Sequence, residues 1–442
     1  MRVDLPRQVA YEAVAAVHRD DAYANLVLPK LLRQAGLSGR DAAFATELTY
    51  GMLRQSGTLD AIIASAADRP VERIDPPVRD ALRLGAYQLL HMRVGQHAAV
   101  DTTVNLVRSL TPGAAGFANA VLRRISGSSR EDWVARLSTG DTIADLALAH
   151  AHPQWIVRSF VDALRSSRSG VADALAADNV APPVHLCARP GLIDRSELPA
   201  APGRYSPYAA VLESGDPAGI PAVRDGLAHV QDEGSQLVAA ALTNVPVDGP
   251  DASWLDLCAG PGGKAGLLGA LARQRDATVT AIEVAPHRAS LVSQAVRGLP
   301  VKVECADGRS VGRDTPGSYD RVLVDAPCTG LGALRRRPEA RWRRRPSDLP
   351  PLTRLQRELL GSALAAVRPG GVVAYVTCSP HLAETEVTVK ESVRRAPVAV
   401  ELVDARPLLP DGMPDLGEGP TVQLWPHLHG TDAMYLAVLR RI

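Results

Sequence analysis

The stretch Ser253-Trp254-Leu255-Asp256-Leu257-Cys258-Ala259-Gly260-Pro261-Gly262-Gly263-Lys264 constrains this chain more than any other. An apolar run with the character of a buried strand breaks into a glycine-rich turn. Ala265-Gly266-Leu267-Leu268-Gly269-Ala270-Leu271 then reads as a helix packed back on that strand. Strand, tight turn and helix make a cradle for a nucleotide-like ligand: glycine lets the backbone approach without a Cβ, and the helix N-terminus offers unpaired N–H groups. The residues leave several occupants open. Gly260-x-Gly262-x-x-Ala265, with Glu283 about 20 positions further on, satisfies the dinucleotide pattern. The phosphate-loop pattern fails, because no glycine stands at the required position before Gly263-Lys264 and Ala265 replaces the Ser or Thr that would hold magnesium. An S-adenosylmethionine (SAM) site fits equally, the turn passing under the amino-acid end of the ligand and the acid holding the ribose hydroxyls. A turn with no ligand is the remaining alternative.

From Gln231 onward strands and helices alternate, the signature of an open parallel sheet. Predicted strands are Thr278 to Ile282, Val301 to Cys305, Tyr319 to Val324 and Gly371 to Val376, with helices from about His287 to Arg297 and Thr353 to Val367. The tail, Thr421 to Trp425 and Ala433 to Leu439, adds a terminal hairpin. In doubly wound sheets ligands bind at the carboxyl ends of strands, so Glu283, Asp307, Asp325 and Cys378 are expected to face one crevice.

Residues 7 to 125 read as helical throughout, with Val9, Ala13, Val14 and Val17 on one face. Ser38-Gly39-Arg40-Asp41 resembles a capping box, and Asp75-Pro76-Pro77 opens a further helix. Residues 1–125 hold 15 basic against 12 acidic residues, so this part of the chain is only mildly basic. Gly127-Ser128-Ser129 marks a break before a region of mixed character, with a helical part from Trp133 to Leu164 and a strand over Pro182 to Arg189. His150 and His152, two apart, do not share a helical face, and no metal is expected.

Net charge +1 argues against a uniformly basic surface without excluding basic patches. The five cysteines (Cys187, Cys258, Cys305, Cys328, Cys378) include no CxxC pair, which disfavours a disulfide framework or a zinc site. The start, Met1 to Arg7, has an acid and no apolar core, so no secretory signal is expected. With no run of about 18 apolar residues, no membrane span is expected either, and the compartment expected is the cytoplasm.

Two stretches carry residues that look costly rather than convenient: Asp325-Ala326-Pro327-Cys328-Thr329-Gly330-Leu331-Gly332 and Thr377-Cys378-Ser379-Pro380. Each puts a cysteine just past an apolar strand, where a thiolate can meet a substrate on a rigid scaffold. Cys258 and Cys305 read as small apolar fillers. A SAM cradle beside a cysteine nucleophile suits methylation of C5 of a pyrimidine. That carbon attacks a methyl only after a thiolate adds to C6 and pushes electron density onto it.

These residues also carry a resemblance. Asp256 to Lys264, Ala306-Asp307-Gly308-Arg309, Asp325 to Gly330 and Thr377-Cys378-Ser379 resemble the RNA cytosine-C5 methyltransferases of the Sun/Nop2/NSUN class, and within it the RsmB/Sun family. The resemblance spans nearly the whole chain: Gly116-Phe117-Ala118-Asn119-Ala120-Val121-Leu122-Arg123-Arg124 is similar to a NusB-like RNA-binding domain, and Gln231 to Gln236 to the entry into the catalytic domain. It implies an all-α NusB-like domain (1–127), a small α+β linking RNA-binding domain (128–228) and a Rossmann-like SAM methyltransferase domain (229–442). It further implies that Cys258, Ala259, Gly260, Pro261, Gly262, Gly263 and Lys264 line SAM, with Arg288 nearby. Glu283 would hold the ribose, Asp307 would face the adenine amine, and Asp325 would stand at both cofactor and cytosine. Cys378 would be the nucleophile and Cys328 would assist product release; the reverse assignment stays open, because DNA cytosine methyltransferases attack from a Pro-Cys pair. The implied partner is RNA, 16S rRNA first, with another RNA, an antitermination-type RNA-binding role or a dinucleotide oxidoreductase as alternatives. The expected state is a monomer. Departures from the family pattern are Ala265 for Thr, Thr329 for Ser, and Met434-Tyr435 for two phenylalanines.

Between the cysteine motifs, residues 335 to 345 hold seven arginines and a tryptophan. Arg335, Arg336, Arg337, Arg341, Trp342 and Arg343 read as an RNA-backbone surface with an aromatic available for base stacking.

Overall fold

The computed structural model describes residues 4–165 and 168–442; Met1 to Val3 of the leader reading lie outside them. The chain divides into two compact units, Met1–Ala181 with Leu334–Arg344, and Pro182–Ala333 with Arg345–Ile442.

The first unit is helical: α1 (Leu5–Arg19), α2 (Ala24–Gln34), α3 (Gly39–Ala67), α4 (Pro76–His91), α5 (Gln96–Leu110), α6 (Ala115–Ile125), α7 (Arg130–Leu137), α8 (Thr142–His150), α9 (Gln154–Leu164) and α10 (Arg168–Ala177). Apolar residues at helical spacing bury one face of each main helix, so that Val14 and Val17, Leu48 and Met52, Ile62 and Ile63, Leu82, Val107 and Leu122 share one core. Asp4 caps α1 by accepting from the Arg7 N–H, and Ser129 with Asp132 forms a capping box on α7. The box expected at Ser38 does not form: Ser38 precedes α3 but its side chain accepts no backbone N–H.

The second unit opens with a four-stranded antiparallel sheet, β1 (Val184–Ala188), β2 (Ala201–Pro202), β3 (Ala209–Leu212) and β4 (Ala228–Val230), in the order β2-β3-β1-β4. A short α11 (Pro221–Arg224) precedes β4. The division at Ala181/Pro182 falls inside the stretch expected to form one linking domain, 128–228: α7 to α10 lie in the first unit, and β1 to β3 with α11 in the second. Next come α12 (Glu233–Asn244), β5 (Ser253–Asp256), α13 (Gly263–Arg273), β6 (Thr278–Ile282), α14 (Pro286–Ala295), β7 (Val301–Glu304), α15 (Val311–Asp314) and β8 (Tyr319–Asp325). Residues 334–344 then return to the helical unit with one turn of helix, α16 (Ala340–Arg343). The second unit closes with α17 (Leu349–Ala366), β9 (Val367–Thr377), α18 (Glu386–Arg394), β10 (Val400–Val403), β11 (Val422–Gln423), α19 (Pro426–His429) and β12 (Tyr435–Arg441).

The larger sheet runs β10-β12-β9-β8-β5-β6-β7, with β11 on β12 as the tail hairpin. Strands β7, β6, β5, β8 and β9 are parallel; β12 is antiparallel to β9. Both faces are covered, which is why the central strands are nearly continuous apolar runs. Trp254, Leu323, Ala374 and Val376 pack with Leu242 of α12 and Leu267 and Leu271 of α13; Leu255, Val322, Val324 and Tyr375 pack with Leu360 and Leu364 of α17. Helix α17 begins at Leu349, ahead of the predicted Thr353, because Pro350 and Pro351 suit the first helical turn. The chain order reverses between β5 and β8, so their carboxyl ends flank the switch point of the sheet.

Candidate active site

Because β5 to β9 are parallel, Glu283, Asp307, Asp325 and Cys378 lie at or just past the carboxyl ends of their strands along one edge of the sheet, and Asp256 at the end of β5 joins them. The turn after β5 needs its glycines. At Gly262, φ is +111° and a Cβ would stand 2.6 Å from the Ala295 Cβ; at Gly260 a Cβ would stand 2.1 Å from Glu283 Oε2. Gly260 donates its N–H to Glu283 Oε2 at 3.1 Å, and Arg288 donates to the Gly260 carbonyl at 2.5 Å. Glu283 and Arg288 therefore brace the turn as well as lining it. From behind, the His229 ring on β4 meets the Gly263 carbonyl through Nε2 at 3.1 Å; burial drives this histidine down to about 4, so it is a neutral donor.

Lys264 and Asp325 form an ion pair of 2.8 Å across the switch point. Burial alone would lower the lysine's pKa, but Asp325 outweighs it and the ammonium is held above its usual range, with Cys378 among the groups that favour its charge. Asp256 is fully buried, and among the described residues neither of its oxygens has a donor at hydrogen-bonding geometry, although the Lys264 charge and the Cys258 backbone N–H both favour its ionised form. Burial, followed by the Asp325 charge, pushes its carboxyl up to about 7. Burial likewise pushes the Cys258 thiol far above its ordinary value, whereas Cys305 is exposed. Asp307 is bound at the surface by Arg309, which lowers its pKa.

The two motif cysteines meet. Cys328 Sγ and Cys378 Sγ are 3.4 Å apart on the neighbouring ends of β8 and β9. The hydrogen bond with Cys378, and then burial, push the Cys328 thiol well above its usual range. A thiol held that far up keeps its proton at neutral pH, and either sulfur can donate in the contact between them.

The arginine segment differs from its expectation. Arg341 is fully buried in the helical unit. Its guanidinium donates to the carbonyls of Arg54 at 2.9 Å, Ala151 at 3.3 Å and Asp178 at 2.7 Å and to Asn179 Oδ1 at 2.7 Å, and with no exposed surface it presents no donor to a phosphate. Arg343 donates to the Val17 and Ala22 carbonyls, and Arg335 is buried with its own carbonyl taken by Arg54. Arg336 is half-buried; Arg337 and Trp342 stay exposed, Arg337 beside the Tyr23 ring and Trp342 partly seated over Gly57. The failure is physical: a guanidinium can be buried where several carbonyls converge, and those carbonyls come from residues far away in sequence.

Sequence reasoning passed over three residues here. Val284, beside Glu283, is 66% exposed and offers an apolar seat; only its place after a strand-end acid could have flagged it. Glu384 and Gln356 are fully buried under the cysteine loops, and nothing in their local sequence sets them apart.

A family model described as 16S rRNA methyltransferase RsmB/F matches residues 244–440, and the NusB family model matches residues 4–127. Rv1407 of Mycobacterium tuberculosis strain H37Rv is 56% identical over 448 aligned positions, covering 100% of this chain and 97% of that protein. Ribosomal RNA small subunit methyltransferase B of Escherichia coli O157:H7 is 30% identical, covering 88% of this chain and 90% of its own length. The chain belongs to the RsmB/F methyltransferase family. The crystal structure of PH0851 shares the fold, with a TM-score of 0.80 at 22% identity over the full length of both chains. For an RsmB/F protein the glycine turn, Glu283 and Val284 form a cradle suited to a SAM-type cofactor: close backbone, an acid for hydroxyls and an apolar seat. No helix among the described residues is long and apolar enough to cross a membrane, and the described residues hold no cluster of metal-ligating side chains.

Proposed function

We propose that this RsmB/F enzyme transfers a methyl group to C5 of a cytosine in 16S rRNA, through a covalent adduct between Cys378 and C6 of the base. The observation that carries this reading is the thiol pair, 3.4 Å apart at the switch-point edge beside the Lys264–Asp325 ion pair. SAM, when bound, supplies an electrophilic methyl. Residues 258 to 264 would hold its methionine end, Glu283 its ribose, and Val284 with Asp307 its adenine, while Arg288 keeps Glu283 and the turn in place.

Cys378 adds to C6, which places the electron pair on C5; C5 takes the methyl, a base removes the C5 proton, and the Cys378 thiolate leaves as the ring double bond re-forms. Asp325, aligned by Lys264, holds the cytosine by hydrogen bonding. Cys328, which retains its proton, is placed to protonate the departing sulfur and so assist release. The helical unit contributes RNA contacts, with Arg337 and Trp342 as the outward members of the arginine segment. The setting is the cytoplasm, where such a thiol pair stays reduced.

The test is RNA methylation with labelled SAM by wild type, Cys378→Ala and Cys328→Ala, resolved on a denaturing gel. Transfer lost in Cys378→Ala and an RNA–protein adduct trapped in Cys328→Ala would support both roles. The opposite pattern would move the nucleophile to Cys328.

A further inference from the structure

The two loops that carry the thiols are tied together by a carboxylate that touches neither sulfur at hydrogen-bonding distance among the described contacts. Glu384, fully buried, accepts the Thr329 N–H at 2.8 Å on Oε1 and the Thr329 hydroxyl at 2.5 Å on Oε2. Gln356 of α17 donates to Glu384 Oε1 at 3.1 Å and to the Pro327 carbonyl at 2.9 Å. Both neighbours of Cys328 are thereby pinned. On the other loop, Ser379 Oγ lies 3.2 Å from Thr329 Oγ1 and accepts the His381 N–H at 3.2 Å.

Hydrogen counting gives this chain a direction. The Thr329 hydroxyl hydrogen is committed to Glu384, so in the Thr329–Ser379 contact Ser379 donates. The order runs His381 N–H to Ser379, Ser379 O–H to Thr329, Thr329 O–H to Glu384, and a carboxylate at the end can only accept. Residues 328 and 378 are thus flanked by residues 329 and 379, which are locked at 3.2 Å. Gly332 adds a second tie, donating its N–H to the Cys378 carbonyl at 2.8 Å.

We propose that Glu384 is a positioning residue that sets the spacing of the Cys328 and Cys378 thiols by holding Thr329 and, through it, Ser379. Its value to methyl transfer rests on the function proposed above, whereas its hold on the thiols does not. A hydrophobic or shortened residue at 384 frees Thr329, and the protonated thiol leaves the reach of its partner.

The test uses the full chain as Glu384→Ala, Glu384→Gln and Thr329→Val, with two readouts. The first is capture of the thiol pair by phenylarsine oxide, which loses water as its arsenic bonds both sulfurs, followed by mass spectrometry of the Cys328 and Cys378 peptides. The second is kcat for RNA methylation set against the SAM dissociation constant from calorimetry. In Glu384→Ala and Thr329→Val, pair capture and kcat are expected to fall by about 10²-fold, the scale of an ångström-level misplacement. SAM affinity is expected to stay within about twofold. Glu384→Gln should recover most of both, because its Oε1 still accepts from Thr329 and Gln356 and its amide can donate to the Thr329 hydroxyl. Unchanged capture in Glu384→Ala and Thr329→Val would overturn the proposal, as would a loss of SAM affinity in step with kcat. If Glu384→Ala does not fold, Thr329→Val decides. Reduced capture in the variants alongside a wild type that transfers no methyl to RNA would uphold the positioning role and sink the functional reading alone.

Discussion

Replacing Arg341 by alanine separates two readings of the arginine segment. In the structure the guanidinium has no exposed surface and serves four acceptors, at Arg54, Ala151, Asp178 and Asn179. Burial lowers its pKa to about 10, so the charge persists at neutral pH. A hydrogen bond to a charged group contributes about 1.5–3 kcal/mol, and orphaning a buried acceptor costs about 1–3 kcal/mol. The terms do not add, and water can enter the vacated space, so a net loss of about 3–5 kcal/mol is expected, as for removing one partner of a buried ionic contact. That is a large share of the about 5–15 kcal/mol that holds a domain together. Chemical denaturation followed by helical circular dichroism reads it, alongside RNA binding across a salt series. A phosphate-contacting arginine would behave oppositely: stability would hold, and the slope of log K against log salt would shrink by about 0.7–0.9. Stability within about 1 kcal/mol of wild type, together with such a change in slope, would refute the buried-anchor argument.

Asp256→Asn should change the pH dependence of stability. The folded carboxyl, raised to about 7, binds its proton more tightly than the unfolded one near 3.8, so wild-type stability falls as pH climbs through that window and levels off above it. The asparagine variant avoids a penalty on the order of 4 kcal/mol at pH 8 and little at pH 4, and melting temperatures that differ equally from wild type at both pH values would count against this. Gly262→Ala forces a side chain into left-handed backbone against Ala295, costing about 1–3 kcal/mol, and SAM titration should show binding weakened at least tenfold. Lys264→Met leaves Asp325 without its partner, and kcat should drop by about 10²-fold with protein abundance unchanged; wild-type rates would remove the ion pair from the mechanism.

Much of this architecture was readable in advance because its signals are local. The Trp254 to Leu257 run, the glycines at 260 and 262 and the helix from Gly263 each declare themselves within a few residues, and the strand-end rule then assembles Glu283, Asp325 and Cys378 without knowledge of any contact. The proximity of Cys328 to Cys378 follows from the parallel pairing of β8 with β9. What escaped was set by partners distant in the chain. Arg341 looks like any surface arginine until residues 54, 151, 178 and 179 converge on it, and Glu384 acquires a task only once Thr329 and Gln356 are folded against it. Charge density in a sequence reports solvation only when the backbone supplies no competing acceptors.

The return of residues 334–344 to the helical unit bears on the order of synthesis. A chain emerging from the ribosome presents α1 to α10 first, yet Arg341 is an interior part of that unit, and the Arg335 carbonyl is bound there by Arg54. Until β1 to β8 have been made, the carbonyls of Arg54, Ala151 and Asp178 are without the Arg341 guanidinium that they accept in the folded structure. Completion of the first-made half is thereby conditional on translation having passed the glycine turn and Cys328. The first-made half is therefore not a portable module: residues 1–181, released alone, lack the 334–344 segment of their own unit.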